Sequence, residues 1–269
     1  PVGSLEPLRG MSLTTLICEY CGLESFEPLR GMPLAMLIAG GNPVRSLDPL
    51  RGMPMTNLSA WGCEIEDLAP LKGMPLSVLY CNTNRIHTLE PLRGMQLVML
   101  NCSGNDIDSV EPLRGAPLKV LHFGQNHVNS LAPLRGMKLN MLTFTGNRIS
   151  SLEPLRGMPL GVLTCANNRL ASLDPFVESP PDDFLFDCET ISTEELQRAL
   201  TVWSRKPALA HLVRNTEVLL EFRRSGEKAL HALAREFEGR RYLYMPKFLR
   251  WEDAEVFCEQ AGGHLVTIR

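Results

Sequence analysis

Cysteine and histidine are the residues of this 269-residue chain with the widest chemical reach, so their spacing comes first. Cys18-Glu19-Tyr20-Cys21 is a C-x-x-C, a spacing that elsewhere holds zinc or cycles between thiol and disulfide. A tetrahedral zinc site needs four ligands, and no second C-x-x-C supplies the other pair. The histidines lie at 87, 122, 127, 211, 231 and 264. None of them falls into a serine–histidine–acid, cysteine–histidine or paired-carboxylate arrangement, the constellations that nucleophilic and acid–base catalysis require. The sequence therefore predicts no catalytic residues, no metal ligands and no cofactor.

The elements that carry these residues explain why. Pro-Leu-Arg/Lys-Gly begins at Pro7, Pro28, Pro49, Pro70, Pro91, Pro112, Pro133 and Pro154, a step of 21 residues each time. A fixed period in the twenties marks a solenoid, in which each unit buries its apolar face only against its neighbours. Aligned on that period, leucine fills one column from Leu13 to Leu160, broken only by Met55, and a second column from Leu16 to Leu163. Two positions on stand Cys18, Ala39, Ala60, Cys81, Cys102, Phe123, Phe144 and Cys165; three further on stand Cys21, Asn42, Cys63, Asn84, Asn105, Asn126, Asn147 and Asn168. The two cysteines of the C-x-x-C thus belong to different structural columns, and packing accounts for them. Cys81 and Cys102 share a column in adjacent strands, at a spacing that permits a disulfide but a stacking that disfavours its torsion.

Leucine alternating with a small or apolar residue has period two and reads as a short strand with one face inward. The asparagine column sits where the chain leaves the strand; its amide can bond backbone groups of its own and the adjacent turn. Ser25, Ser46, Asp67, Thr88, Ser109, Ser130 and Ser151 are cap-type residues, the prolines suit a first helical turn and the glycines suit a reversal with positive φ. So short a return side holds one turn of 3₁₀ or α-helix. Glu6, Glu27, Asp48, Glu90, Glu111 and Glu153 lie three residues before Arg9, Arg30, Arg51, Arg93, Arg114 and Arg156, which reads as a solvated outer face rather than a polyanion-binding ladder.

These columns spell L-x-x-L-x-L-x-x-N/C-x-L, which resembles the leucine-rich repeat family in its short, 21-residue bacterial form. The resemblance covers residues 1–176 and implies an α/β solenoid with a parallel sheet on the concave face and 3₁₀ or helical turns on the convex face. It also implies a non-enzymatic binding scaffold that recognises a protein or peptide on the concave face. Residues that alternate with the buried leucines point out there, in a nearly uncharged wall with methionines, a tryptophan and a tyrosine. Such composition suits protein interfaces, whose buried centres are depleted in charge. The predicted partner-binding residues are Trp61, Tyr80, Asn82, Asn101 and His122, with Met36, Asn57 and Met99 beside them.

Composition bounds the alternatives. With 27 Lys+Arg against 30 Asp+Glu and a net charge of −3, the chain lacks the basic footprint that nucleic acid needs. No apolar run is long enough to span a membrane. The chain starts at Pro1 with the first repeat entered part-way and no signal peptide, as an internal piece of something longer would, leaving the first strand an open edge. The thiols fit either a reducing or an oxidising compartment.

After Phe176 the period fails. Residues 177–191 read as an exit from the solenoid, with Phe184, Leu185 and Phe186 available to cover the last repeat. Residues 192–238 read as a helical cap or spacer: a capping box at Ser192–Glu195 opens one helix through Leu196, Leu200 and Trp203. A second helix carries Leu209, Leu212, Val213, Leu219 and Phe222, and a third carries Leu230, Leu233 and Phe237 up to Gly239. Arg223, Arg224, Arg240 and Arg241 read as solvated charge. Residues 239–269, with Tyr242, Trp251, Cys258 and Gly262-Gly263-His264-Leu265, resemble the opening of a C-type lectin-like domain. The sequence stops before calcium or sugar ligands would appear, so sugar binding is not supported by the residues present. Two alternatives follow from resemblance: carbohydrate recognition through such a domain, or the regulatory region of a signalling protein kinase, although no kinase motif occurs.

Overall fold

The computed structural model describes residues 3–186, 190–225, 235–237 and 240–242. Eight three- or four-residue strands repeat at the 21-residue step: β1 (Thr15–Ile17), β2 (Met36–Ile38), β3 (Asn57–Ser59), β4 (Val78–Tyr80), β5 (Met99–Asn101), β6 (Val120–His122), β7 (Met141–Thr143) and β8 (Val162–Cys165). A ninth, β9 (Asp183–Phe186), extends the same parallel sheet in strict chain order. Because the repeat length never drifts, each leucine pairs with its equivalent, Leu16 with Leu37, Leu37 with Leu58, and so on to Leu163 with Phe184. The exit segment thus does more than cover the last repeat: Phe184 and Phe186 take the inward positions of a further strand.

The leucine columns are fully buried from the second repeat onward, whereas Leu13 and Leu16 are only partly covered. An inner strand is shielded by a repeat on each side, and β1 pairs with β2 alone. In the small-residue column Phe123 and Phe144 stack with ring centroids 5.6 Å apart, filling space that alanine or cysteine leaves in other repeats. Cys18, Cys63, Cys81 and Cys102 are buried and unbridged, and burial pushes the Cys18 and Cys102 thiols up to about 12. These thiols pack as small apolar groups.

Each asparagine works as a two-way clamp. Asn126 Oδ1 accepts from Ile107 N–H (3.0 Å), while its Nδ2 donates to the carbonyls of Cys102 (3.1 Å), Phe123 (3.0 Å) and Gly124 (3.1 Å). The clamp reaches back to the preceding repeat, in the same way as Asn42 bonds Cys18, Cys21 and Leu23. Where cysteine replaces asparagine, the Cys63 thiol donates to the Ala39 carbonyl at 3.4 Å.

On the convex side each repeat makes a three-residue 3₁₀ turn, from Glu6–Leu8 to Glu153–Leu155, with proline in its first turn. The predicted caps act differently from an N-cap: Ser25 Oγ accepts from Glu27 N–H at 3.0 Å and Ser109 Oγ from Glu111 N–H at 3.1 Å, an i to i+2 turn. The position before the 3₁₀ turn is taken by a core residue such as Phe26 or Leu47, so the hydroxyl caps from one step earlier. The glycine after each turn has φ between +72° and +78°, and a Cβ there would meet nothing, so dihedral preference alone selects glycine. Glu6–Arg9 and its equivalents form exposed pairs, the carboxyls held below their ordinary value by the arginine hydrogen bond.

The C-terminal end is closed by a short helix, α1 (Asp174–Val177), and by α2 (Thr193–Trp203). Ser192 Oγ caps α2 by accepting from Glu195 N–H at 3.1 Å, as the capping box predicts. The Glu195 carboxylate, however, turns to the last repeat and accepts from Ser172 Oγ (2.9 Å) and Leu173 N–H (3.0 Å). Trp203 is wholly buried against Phe184 and Phe186, its indole N–H donating to the Val177 carbonyl at 2.9 Å. A 3₁₀ turn at Pro207–Leu209 leads into α3 (Ala210–Ser225), and Arg223 donates to the Ile191 carbonyl at 2.7 Å rather than standing as solvated charge. The third helix expected through Phe237 is replaced there by a strand, β10 (Arg235–Phe237), antiparallel to β11 (Arg240–Tyr242). Leu230, Leu233 and the lectin-like stretch from Leu243 onward lie outside the described residues.

Asn126→Ala leaves the buried Ile107 N–H unpaired, while the Cys102, Phe123 and Gly124 carbonyls keep their bonds from Asn105, Asn147 and Gly104, and is expected to cost about 2 kcal/mol, the scale of such desolvation. Asn126→Cys, which keeps a small donor, is expected to cost less. Urea unfolding followed by circular dichroism measures both, and equal losses would contradict the clamp.

Candidate functional site

The outward positions of β2 to β7 form the wall on which the predicted residues sit. Two columns run across it in register. Met36, Asn57, Val78 and Met99 are successive partners in one; Ser59, Tyr80, Asn101, His122 and Thr143 in the other. Trp61 and Asn82 follow β3 and β4 at the edge. All eight predicted residues are half-buried, as side chains on a close-set sheet face must be.

The structure joins some of them directly. The Tyr80 hydroxyl donates to Met99 Sδ at 2.9 Å, linking the two columns across β4 and β5. Asn57 Oδ1 accepts from Thr56 Oγ1 at 2.9 Å, and Asn101 Oδ1 from Ser103 N–H at 3.1 Å, so both amides keep donors free for a partner. His122 continues the Tyr80–Asn101 row, and burial lowers its pKa from 6.5. The wall is therefore neutral at physiological pH across its middle.

Trp61 turns the other way, toward the first repeat. Its indole N–H donates to Glu19 Oε1 at 2.9 Å, and its ring meets Tyr20 edge-on with centroids 5.2 Å apart. Glycines make this possible: a Cβ on Gly40 would lie 2.1 Å from Trp61 Nε1, and one on Gly41 would lie 2.7 Å from the Tyr20 ring. Tyr20 (70% exposed) and Ile17 (66% exposed) are the most open large apolar side chains among those described.

Glu19 and Tyr20, which the structure brings against Trp61, are not among the residues that the sequence singles out. The signal was present in the column before the asparagines: Tyr20, Gly41, Gly62, Thr83, Gly104, Gln125, Gly146 and Asn167 all have positive φ. Half are glycine, and the others hold a left-handed conformation that side chains normally avoid. Tyr20 lies over Gly41 and Gln125 over Gly146, so a side chain in one repeat occupies the space its glycine neighbour vacates.

No group of three or more histidine, cysteine or acidic side chains is placed to hold a metal among the described residues, and no described helix is long and apolar enough to cross a membrane. The sheet, its 3₁₀ returns and the asparagine clamps define a leucine-rich repeat solenoid. The chain is similar to two solved internalins of Listeria monocytogenes. One is an internalin (inlF), with a TM-score of 0.60, 20% identity, and coverage of 68% of this chain and 56% of that one. The other is an internalin C2, with a TM-score of 0.53, 24% identity, and coverage of 59% of this chain and 78% of that one. Such identities establish the fold alone, and the chain spans little more than half the length of the first. No family model and no curated protein matches.

Gly40→Ala is expected to push the indole off its seat and break the Trp61–Glu19 hydrogen bond, seen as a shift of the Trp61 indole N–H resonance. An unmoved resonance would show that the glycine is not what seats the ring. For His122, the folded pKa lies below the unfolded one, so the unfolded chain takes up the proton first as pH falls. Its contribution to stability is complete above about pH 6.5 and declines below it. An imidazole titration midpoint below 6.5, and a shallower loss of stability toward pH 5 in His122→Asn, are the expected results.

Proposed function

We propose that this chain is a non-enzymatic binding scaffold whose concave wall receives a protein or peptide. The observation that carries this reading is the half-exposed, nearly uncharged row of Tyr80, Asn101 and His122, flanked by Met36, Asn57, Met99, Asn82 and Trp61, on a sheet whose backbone is fixed by paired strands. A preformed wall of aromatic, amide and thioether groups offers large contact area at little ordering cost. In six of the eight repeats the convex arginine is paired with the acid three residues before it, which leaves little charge there for a partner to use. The internalin likeness supports a repeat scaffold of this kind and leaves the partner open. Membership of a larger modular bacterial protein is part of the same proposal. The lectin-like alternative rests on residues outside those described, and the comparisons lend it no support.

The test selects peptides from a random display library on the immobilised chain, then measures their binding to Tyr80→Ala and Asn101→Ala. Losses of at least about tenfold, the effect of removing an interface anchor, with unchanged circular dichroism, are expected. Peptides that bind both variants as tightly as the parent chain would reject the concave wall as the site.

A further inference from the structure

A carboxylate and two aromatic rings converge where the first and third repeats meet on this wall. Glu19 Oε1 is held against the Trp61 indole N–H at 2.9 Å, and Tyr20 stands edge-on to the same indole. The six convex-face acids each carry an arginine three residues on, as Glu27 does with Arg30. Glu19 has no such cation among the described residues, and the outward columns around it contain no lysine or arginine at all. It is the one charge in the outward columns of the eight repeats, far from Asp183, which stands at the other end of the sheet on β9.

We propose that this corner receives a cationic side chain, arginine before lysine, from the bound protein or peptide; the inference rests on the concave-wall reading and names the chemistry it selects. An aromatic face attracts a cation through its quadrupole, and a carboxylate beside it adds a charge-assisted hydrogen bond. Only one Glu19 oxygen is engaged by the indole, so the other is available to an incoming N–H donor. A guanidinium is planar and weakly hydrated, and stacks on a ring while donating from its edge, which an ammonium does less well. The receiving groups are set in advance: Gly40 seats the indole and Gly41 the phenol ring, so little side-chain freedom is lost on binding. With Tyr20 70% exposed, its ring is open to a ligand.

The test titrates the full ¹⁵N-labelled chain with N-acetyl-arginine methylamide and, separately, with the neutral isostere N-acetyl-citrulline methylamide. The Trp61 indole resonance is assigned by its loss in Trp61→Phe. Arginine amide is expected to shift that resonance with a saturable curve, and citrulline amide to bind at least about threefold more weakly, the scale of an exposed cation–π contact. Glu19→Gln keeps an oxygen for the indole but removes the charge, and is expected to weaken the arginine amide by a similar factor, as is Tyr20→Ala. No shift with the arginine probe, equal response to both probes, or an unaltered response in Glu19→Gln overturns the proposal. Selected peptides that depend on Tyr80 but ignore Glu19→Gln would also overturn it, while leaving the concave wall standing as the partner site.

Discussion

No single repeat of this chain holds enough apolar surface to fold alone; the in-register stacking of leucines on leucines makes it a structure. Each strand has three or four residues and gains its neighbours only through the sheet. Burial therefore grows along the array: Leu13 and Leu16 are partly covered in the first repeat, and Leu34 and Leu37 are sealed in the second. Stacking apolar columns would tolerate sliding were it not for the asparagines. Their amides pair with backbone groups of two repeats at once and fix both register and spacing, because a buried amide without partners is costly.

That fixed spacing is what gives the wall its chemistry. A side chain at one outward position always faces its counterpart in the next repeat, so glycine in one repeat becomes floor space for a ring in another. Gly40 and Gly41 are useful less for their own flexibility than for what lies over them, the Trp61 indole and the Tyr20 ring. The far end is closed by the opposite tactic: Phe184, Phe186 and Trp203 fill the last layer, and the Glu195 carboxylate bonds the last repeat's backbone.

Much of this was legible from spacing alone. The leucine columns, the inward cysteines, the positive-φ glycines and the outward wall follow from a period that never varies, since each column has one environment. What escaped was the contact made across repeats. Tyr20 belonged to no outward strand column, and the left-handed backbone there aims it over Gly41. Trp61 reads from its position as a neighbour of Tyr80 and Asn82, yet its hydrogen bond goes two repeats back, to Glu19. Phe237 fits a helical spacing and lies in a strand, for a short apolar run without capping signals is compatible with either.

The sequence by itself determined the architecture, because a strict 21-residue repeat with buried leucine and asparagine columns has one way to hide its apolar surface and satisfy its backbone. Only the tertiary structure decided which surface residues act together. Rotamers and cross-repeat hydrogen bonds depend on the space that neighbouring glycines leave, and distances of that kind are set by stacking rather than by order along the chain.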